Sequence, residues 1–285
     1  MKRILALAAA AACITVGTQS VRADDADDKA LVAEKDVPGK FTANVGLTSE
    51  YIFRGISQTD DSPAVQGGFD WAMEKIGSMP FGIYAGFWGS NVNFHSVNAD
   101  AFAVPGGGTV GSARGNSLET DWYAGLQGAF RDVNWKFGGI YYFYPGAPHD
   151  SHFNYFELAT SLNYDFGPLA LTGMYNFSPD FFAGTGASNY FAVKADVPVW
   201  KFTISPIVGY QTVSRNWRAG TPDWVHYGAS FSTMIAGFST SLAVSDTNIA
   251  ESKCSPYVVL NNGGGTNPVN DACGPQVTIT VSRSF

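Results

Sequence analysis

The sequence predicts an all-β protein, an antiparallel transmembrane β-barrel of about twelve strands with short periplasmic turns and long extracellular loops. Three observations predict it. From Phe41 onward, runs of about ten residues alternate apolar with small or polar side chains, the period-two signature of strands. The connections between these runs are alternately long and short. Charged residues make up only 14% of the 285 residues while aromatics make up another 14%, against a usual charged share of ~25%.

The same composition excludes other classes. Aromatic content and low charge are incompatible with intrinsic disorder. A formal net charge of −7 with no basic run argues against a nucleic-acid partner. No stretch of ~18 apolar residues lies beyond the extreme N-terminus, so a helical membrane protein is excluded.

The N-terminus reads as a secretory signal peptide. Lys2 and Arg3 form a basic start, Ile4 to Val16 an apolar stretch, and Val21-Arg22-Ala23 a small-residue cleavage site. The expected division is residues 1–23 as signal peptide, 24–40 as an acidic periplasmic tail, and 41–285 as the barrel. Cys13 leaves with the signal. Loss of Lys2, Arg3 and Arg22 makes the mature chain more acidic.

The strands follow in order. In Phe41–Phe53, Phe41, Val45, Leu47, Tyr51 and Phe53 share one face, and Thr42, Asn44, Thr48 and Glu50 the other. Similar runs lie near 63–74, 80–91, 118–131, 133–144, 153–165, 168–177, 189–199, 201–212, 223–233, 237–247 and 275–285. Long connections carry Gly, Pro, Asn and Asp, and all fall at one end, as in a barrel whose outer loops are long and periplasmic turns short. An even strand count returns both termini to the periplasm. Aromatic clusters near strand ends suit interfacial girdles: Tyr51 and Phe53, Phe69 and Trp71, Tyr141 to Tyr144, Phe181 and Phe182, Trp217, Trp224. The rival soluble sandwich lacks a reason to segregate its long loops, whereas closure is obligatory in lipid, where unpaired backbone groups cost several kcal/mol each.

Charges belong inside such a barrel, because Lys or Arg on the lipid face costs ~2–4 kcal/mol at mid-depth. The pore-lining candidates are Glu50, Arg54, Asp70, Glu119, Asp121, Arg131, Lys136, Glu157, Lys194 and Asp196, with Glu74, Lys201 and His226 on the same predicted face. Such residues either pair to hold a narrow lumen or form a selectivity ring. Tyr123, Tyr142 and Tyr144, or an inserted loop, are expected to fill part of it. The acid excess predicts a mild cation preference.

Cys254 and Cys273 share one Gly/Asn/Pro-rich segment, and an exported chain meets an oxidising compartment, so a disulfide closing this loop is expected. Two thiols without a neighbouring His make a poor metal site, and neither a metal nor a cofactor is expected. Gly106–Gly108 and Gly263–Gly265 lack the pattern of a phosphate loop. The strongest enzyme-like feature is His149-Asp-Ser151-His152, since a Ser nucleophile needs a base within reach. This pair falls in a loop after Pro148, so an esterase or lipid-modifying barrel stands as an alternative, beside a non-conducting structural or adhesive one.

Three stretches carry a family resemblance: Asn44-Val-Gly-Leu-Thr-Ser-Glu-Tyr-Ile-Phe-Arg-Gly-Ile-Ser-Gln-Thr59, Pro63-Ala-Val-Gln-Gly-Gly-Phe-Asp70 and Tyr141-Tyr-Phe-Tyr-Pro-Gly146. With Glu119-x-Asp121-x-Tyr123 and the terminal strand, they resemble the TorF-family porins, the Gcw_chp family of proteobacterial outer-membrane proteins. The resemblance covers most of residues 41–285 and leaves out 248–274. It implies a porin-type barrel in the bacterial outer membrane that passes small solutes. It brings no catalytic or binding residues. Expected partners are outer-membrane lipid and lipopolysaccharide, and the outer-membrane assembly machinery. The last would read the alternating strand that ends in Phe285.

Overall fold

The computed structural model describes residues 38–94, 103–104, 108–109, 116–147, 151–215, 222–250, 253–254 and 271–285. The expected signal peptide, most of the acidic tail, His149 and Trp217 lie outside these residues.

Twelve antiparallel strands close into one barrel. They are β1 (Lys40–Thr48), β2 (Ala64–Met73), β3 (Phe81–Phe94), β4 (Asn116–Phe130), β5 (Val133–Phe143) and β6 (Tyr155–Asp165). There follow β7 (Ala170–Phe181), β8 (Gly186–Val199), β9 (Phe202–Val213), β10 (Trp224–Ile235), β11 (Phe238–Thr247) and β12 (Gln276–Ser284). Each pairs with its sequence neighbours, and β1 pairs β12 to close the wall. Phe285 extends that seam: its N–H donates to the Ala43 carbonyl at 2.9 Å, and the Ala43 N–H donates to the Phe285 carbonyl at 3.1 Å.

Side-chain alternation sets the two faces. Phe41, Leu47, Phe69, Trp122, Phe191 and Val277 are exposed on the outside, and their strand neighbours at odd spacing point in. In β3 the pattern is weak, and pairing resolves it: Ile83 and Phe87 lie opposite outward Met73 and Phe69, leaving Tyr84 and Trp88 inside. The turn end carries tight connections. Ala236-Gly237, both at positive φ, join β10 to β11, and Trp200-Lys201 join β8 to β9. Arg283 holds its guanidinium 5.6 Å from the Phe238 ring centroid and 5.3 Å from that of Phe285, a cation anchored among rings at the turn end of the wall.

The first strand is shorter than the alternation implies. Thr48 Oγ1 donates to the Glu50 carbonyl at 2.8 Å, and Ser49 pairs with Ile279 through both its backbone N–H and its hydroxyl. The Ser49–Ile279 bonds are the last of this seam, and beyond them the chain turns into the barrel. Tyr51 and Phe53 therefore lie inside, at 1% and 9% exposure, and are not girdle residues. Tyr142, Tyr144, Phe181, Phe182 and Trp224 are likewise buried inside and are not girdle residues, because they share one packed cluster with Tyr51 and Phe53. Between β3 and β4, Ala103–Val104 and Gly108–Thr109 pair as a small separate hairpin.

Candidate functional site

The candidate site is the lumen, and its centre is the segment 49–63. Ile52-Phe53 and Ile56-Ser57 pair as a minimal hairpin around Arg54-Gly55. Both turn residues have positive φ, 50° and 82°, the arrangement of a type I′ turn. Gly55 is required here twice over. A Cβ would meet His226 Cβ and Thr247 Cγ2 at 2.7 Å each, and the backbone is left-handed. Arg54 holds the same region with a side chain, a conformation that costs of order 1–3 kcal/mol and persists where surroundings enforce it.

Those surroundings are dense. Arg54 Nη2 donates to Glu157 Oε2 at 2.6 Å and Nη1 to Gln211 Oε1 at 2.6 Å. Its guanidinium lies 4.0 Å from the Tyr190 ring centroid and 4.7 Å from that of Phe53. Glu157 Oε2 also accepts from Asn176 Nδ2 at 2.7 Å and Tyr142 OH at 3.4 Å. Trp224 Nε1 donates to the Arg54 carbonyl at 3.0 Å. Further back, Tyr51 OH donates to Glu119 Oε1 at 2.7 Å and its ring meets Trp88 edge-on at 5.5 Å. The Asn93 N–H donates to the Gln58 carbonyl at 2.8 Å, tying the segment to β3. Charge-assisted bonds of this length are the strong class. The segment spans the loop half of the lumen and is fixed on several strands.

The sequence-derived candidates thus separate. Glu50, Arg54, Glu119, Asp121 and Glu157 are buried inside. Asp70 faces in and accepts from Tyr123 OH at 2.6 Å. Lys136 Nζ lies 4.8 Å from the Tyr84 ring centroid, and Lys194 pairs with Asp196 at 3.0 Å. Glu50 and Arg54 sit on the inserted segment and not in the wall. Arg131 is displaced from the predicted lining: it occupies the exposed turn between β4 and β5, with its guanidinium 5.4 Å from the exposed Phe130 ring centroid. Glu74 and Lys201 are also exposed at the turn end, where water and not lumen receives their charge. His226 is buried inside and shares a 2.8 Å hydrogen bond with Tyr190 OH.

Reading the charges alone missed half of the lumen. Along β11 and β12 and in the turn half of β9 and β10, many inward positions are hydroxyls: Ser205, Ser230, Ser232, Ser241, Ser245, Thr278 and Thr280. The signal was present in the alternation of Phe231-Ser232-Thr233 and Val277-Thr-Ile-Thr-Val281, where the polar partner of each apolar residue is small. Ser230 Oγ and Ser232 Oγ are buried with no hydrogen-bond partner among the described residues. A cavity of about 20 Å³ lies beside the inserted segment, lined by Thr48, Glu50, Gln66, Ser245, Thr278 and Thr280 among others.

Cys254 and Cys273 form a disulfide. Thr247 Oγ1 donates to the Cys273 carbonyl at 2.5 Å, which fastens the bridge to the rim at β11. Ser151 precedes β6, but its expected partner His149 lies outside the described residues. Among the described residues no group of three or more His, Cys, Asp or Glu side chains gathers to hold a metal.

Over residues 32–285 the chain matches the family described as "Bacterial protein of unknown function (Gcw_chp)", and it belongs to that family. No curated protein matches it. Among solved structures it is similar to the KdgM porin, with a TM-score of 0.48 and 9% identity, covering 86% of this chain and 99% of that one. It is also similar to an outer membrane channel from Pseudomonas putida F1, with a TM-score of 0.48 and 11% identity over 93% and 100% of the two chains. The NanC porin gives a TM-score of 0.46 and 8% identity over 85% and 98%. With its closed wall and apolar outer belt, this bacterial chain is a β-barrel of the outer-membrane type.

Proposed function

We propose that this member of the Gcw_chp family is a narrow outer-membrane channel, of the kind the TorF porin name implies, for small polar solutes and ions. The observation that carries the reading is the contrast between the two surfaces of one wall. Apolar side chains face out, while charges, amides and hydroxyls face the lumen, as in outer-membrane barrels that conduct. The inserted segment narrows that lumen at the loop end, so conducted species are small. Acids outnumber bases among the inward candidates, which supports a mild cation preference. The signal peptide ending at Ala23, the acidic periplasmic tail and recognition of Phe285 by the assembly machinery belong to the same reading.

A second reading, a non-conducting structural barrel, is favoured by one observation: the segment 49–63 is pinned from several sides. Conductance separates the two. Residues 24–285 folded into a planar bilayer should give small, discrete current steps. In a salt gradient, the reversal potential should lie on the cation side. A folded, inserted barrel that stays silent would support the structural reading, and an anion-side potential would overturn the cation preference.

A further inference from the structure

We propose that the cavity between the inserted segment and the β11–β12–β1 wall binds one small monovalent cation, and that ions pass through this site. The inference rests on the channel reading and adds a place and a chemistry to it.

The donors around the cavity are all hard oxygens or an amide. They are the Glu50 carboxylate, the hydroxyls of Thr48, Ser245, Thr278 and Thr280, and the Gln66 side chain. Glu50 is only 6% exposed; Ser57 and the Asp61 N–H hydrogen-bond to its carboxylate, and its Oε1 accepts no hydrogen bond among the described residues. A buried carboxylate oxygen left without a donor is costly. A cation in the adjoining cavity removes that cost. The volume, about 20 Å³, holds a single ion or a single water. One carboxylate with neutral oxygens suits an alkali cation or ammonium. Calcium demands six to eight oxygens, usually with several carboxylates, and no such cluster exists among the described residues.

Position supports passage as well as binding. Asp60 and Asp61 place further negative charge beside Glu50, where the segment leaves the barrel interior. Below the cavity the inward row continues through Ser241, paired with Thr280, to Ser232, paired with Ser241. The hydroxyls of Ser230 and Ser232 are buried and meet no hydrogen-bond partner among the described residues. A site that binds weakly and hands on to neutral oxygens lets an ion leave as well as bind.

The test uses residues 24–285 in planar bilayers under a KCl gradient, comparing wild type with Glu50→Gln and Thr280→Val. Both changes keep side-chain volume, and heat-modifiable electrophoretic migration shows that each barrel is folded. The expected result is a fall of about fivefold in the potassium-to-chloride permeability ratio for Glu50→Gln. Thr280→Val should give a smaller fall in the same direction. Replacing potassium by choline, which exceeds the cavity, should abolish most of the wild-type cation current. An unchanged ratio in Glu50→Gln, or choline current equal to potassium current, overturns the cation site while leaving a channel. Silence from all three folded barrels overturns the channel reading, and the site falls with it.

Discussion

From β3 to β8 the lumen receives Trp88, Tyr123, Tyr142, Tyr155, Glu157 and Tyr190; from β11 to β12 it receives Ser241, Ser245, Thr278 and Thr280. The first wall is large, aromatic and charged, and the second is small and hydroxylated. Both are built by the same alternation on the same closed sheet. The large wall gives the inserted segment something to hold: Trp88 meets Tyr51, Tyr142 meets Phe53 edge-on at 5.9 Å, and Glu157 takes Arg54. The small wall leaves room beside the segment, and the cavity lies there. The difference teaches that large inward side chains hold the inserted segment, while small ones leave a cavity beside it.

The comparison breaks first at its anchor. Arg54→Ala or Glu157→Ala leaves the opposite charge buried without its partner, which costs about 3–5 kcal/mol. Urea unfolding in detergent micelles should show the loss, and the double variant should lose less than the two singles added together. A single-variant loss under about 1 kcal/mol would mean that the pair is solvated and not an anchor.

Next in size is the disulfide, which belongs to the hydroxyl side. Cys254→Ser with Cys273→Ser frees a loop of sequence separation 19 and should cost about 2–4 kcal/mol. The same unfolding measurement, with and without reductant on the wild type, checks it. Gly55→Ala follows. Its Cβ meets His226 and Thr247 in a left-handed backbone, so a loss above about 1 kcal/mol is expected. Smallest is Ser232→Ala, which removes a hydroxyl that bonds to nothing described. Stability should stay within about 0.5 kcal/mol, against a loss of 1 kcal/mol or more if the hydroxyl were bonded.

Most of the wall was legible because a lipid-facing strand has to alternate. The twelve predicted runs correspond to the twelve strands, and the alternation of long and short connections places the loops at one end. What alternation hid was the departure at Thr48. From Phe41 to Phe53 only Ser49 interrupts the apolar odd positions, yet the chain turns inward past it, so Tyr51 and Phe53 change environment almost without a break in pattern. The Arg54-Gly55 pair was the available sign, since a glycine after a long polar residue amid apolar neighbours suits a tight hairpin. Arg131 was assigned to the lumen by counting from the strand, but the turn begins one residue earlier. The hydroxyl wall escaped because attention to charge passes over Ser and Thr. The juxtaposition of Arg54 with Glu157 and Gln211, at separations of 103 and 157 residues, depends on closure of the whole barrel and has no local signature.

The central claim is that the inserted segment, held by Arg54 and Glu157, sets the width of a conducting lumen. Single-channel current through residues 24–285, wild type against Arg54→Ala with Glu157→Ala, tests it directly. Small steps in the wild type and clearly larger steps in the double variant are predicted. Equal steps from two folded barrels would place the segment outside the conducting path and contradict the account.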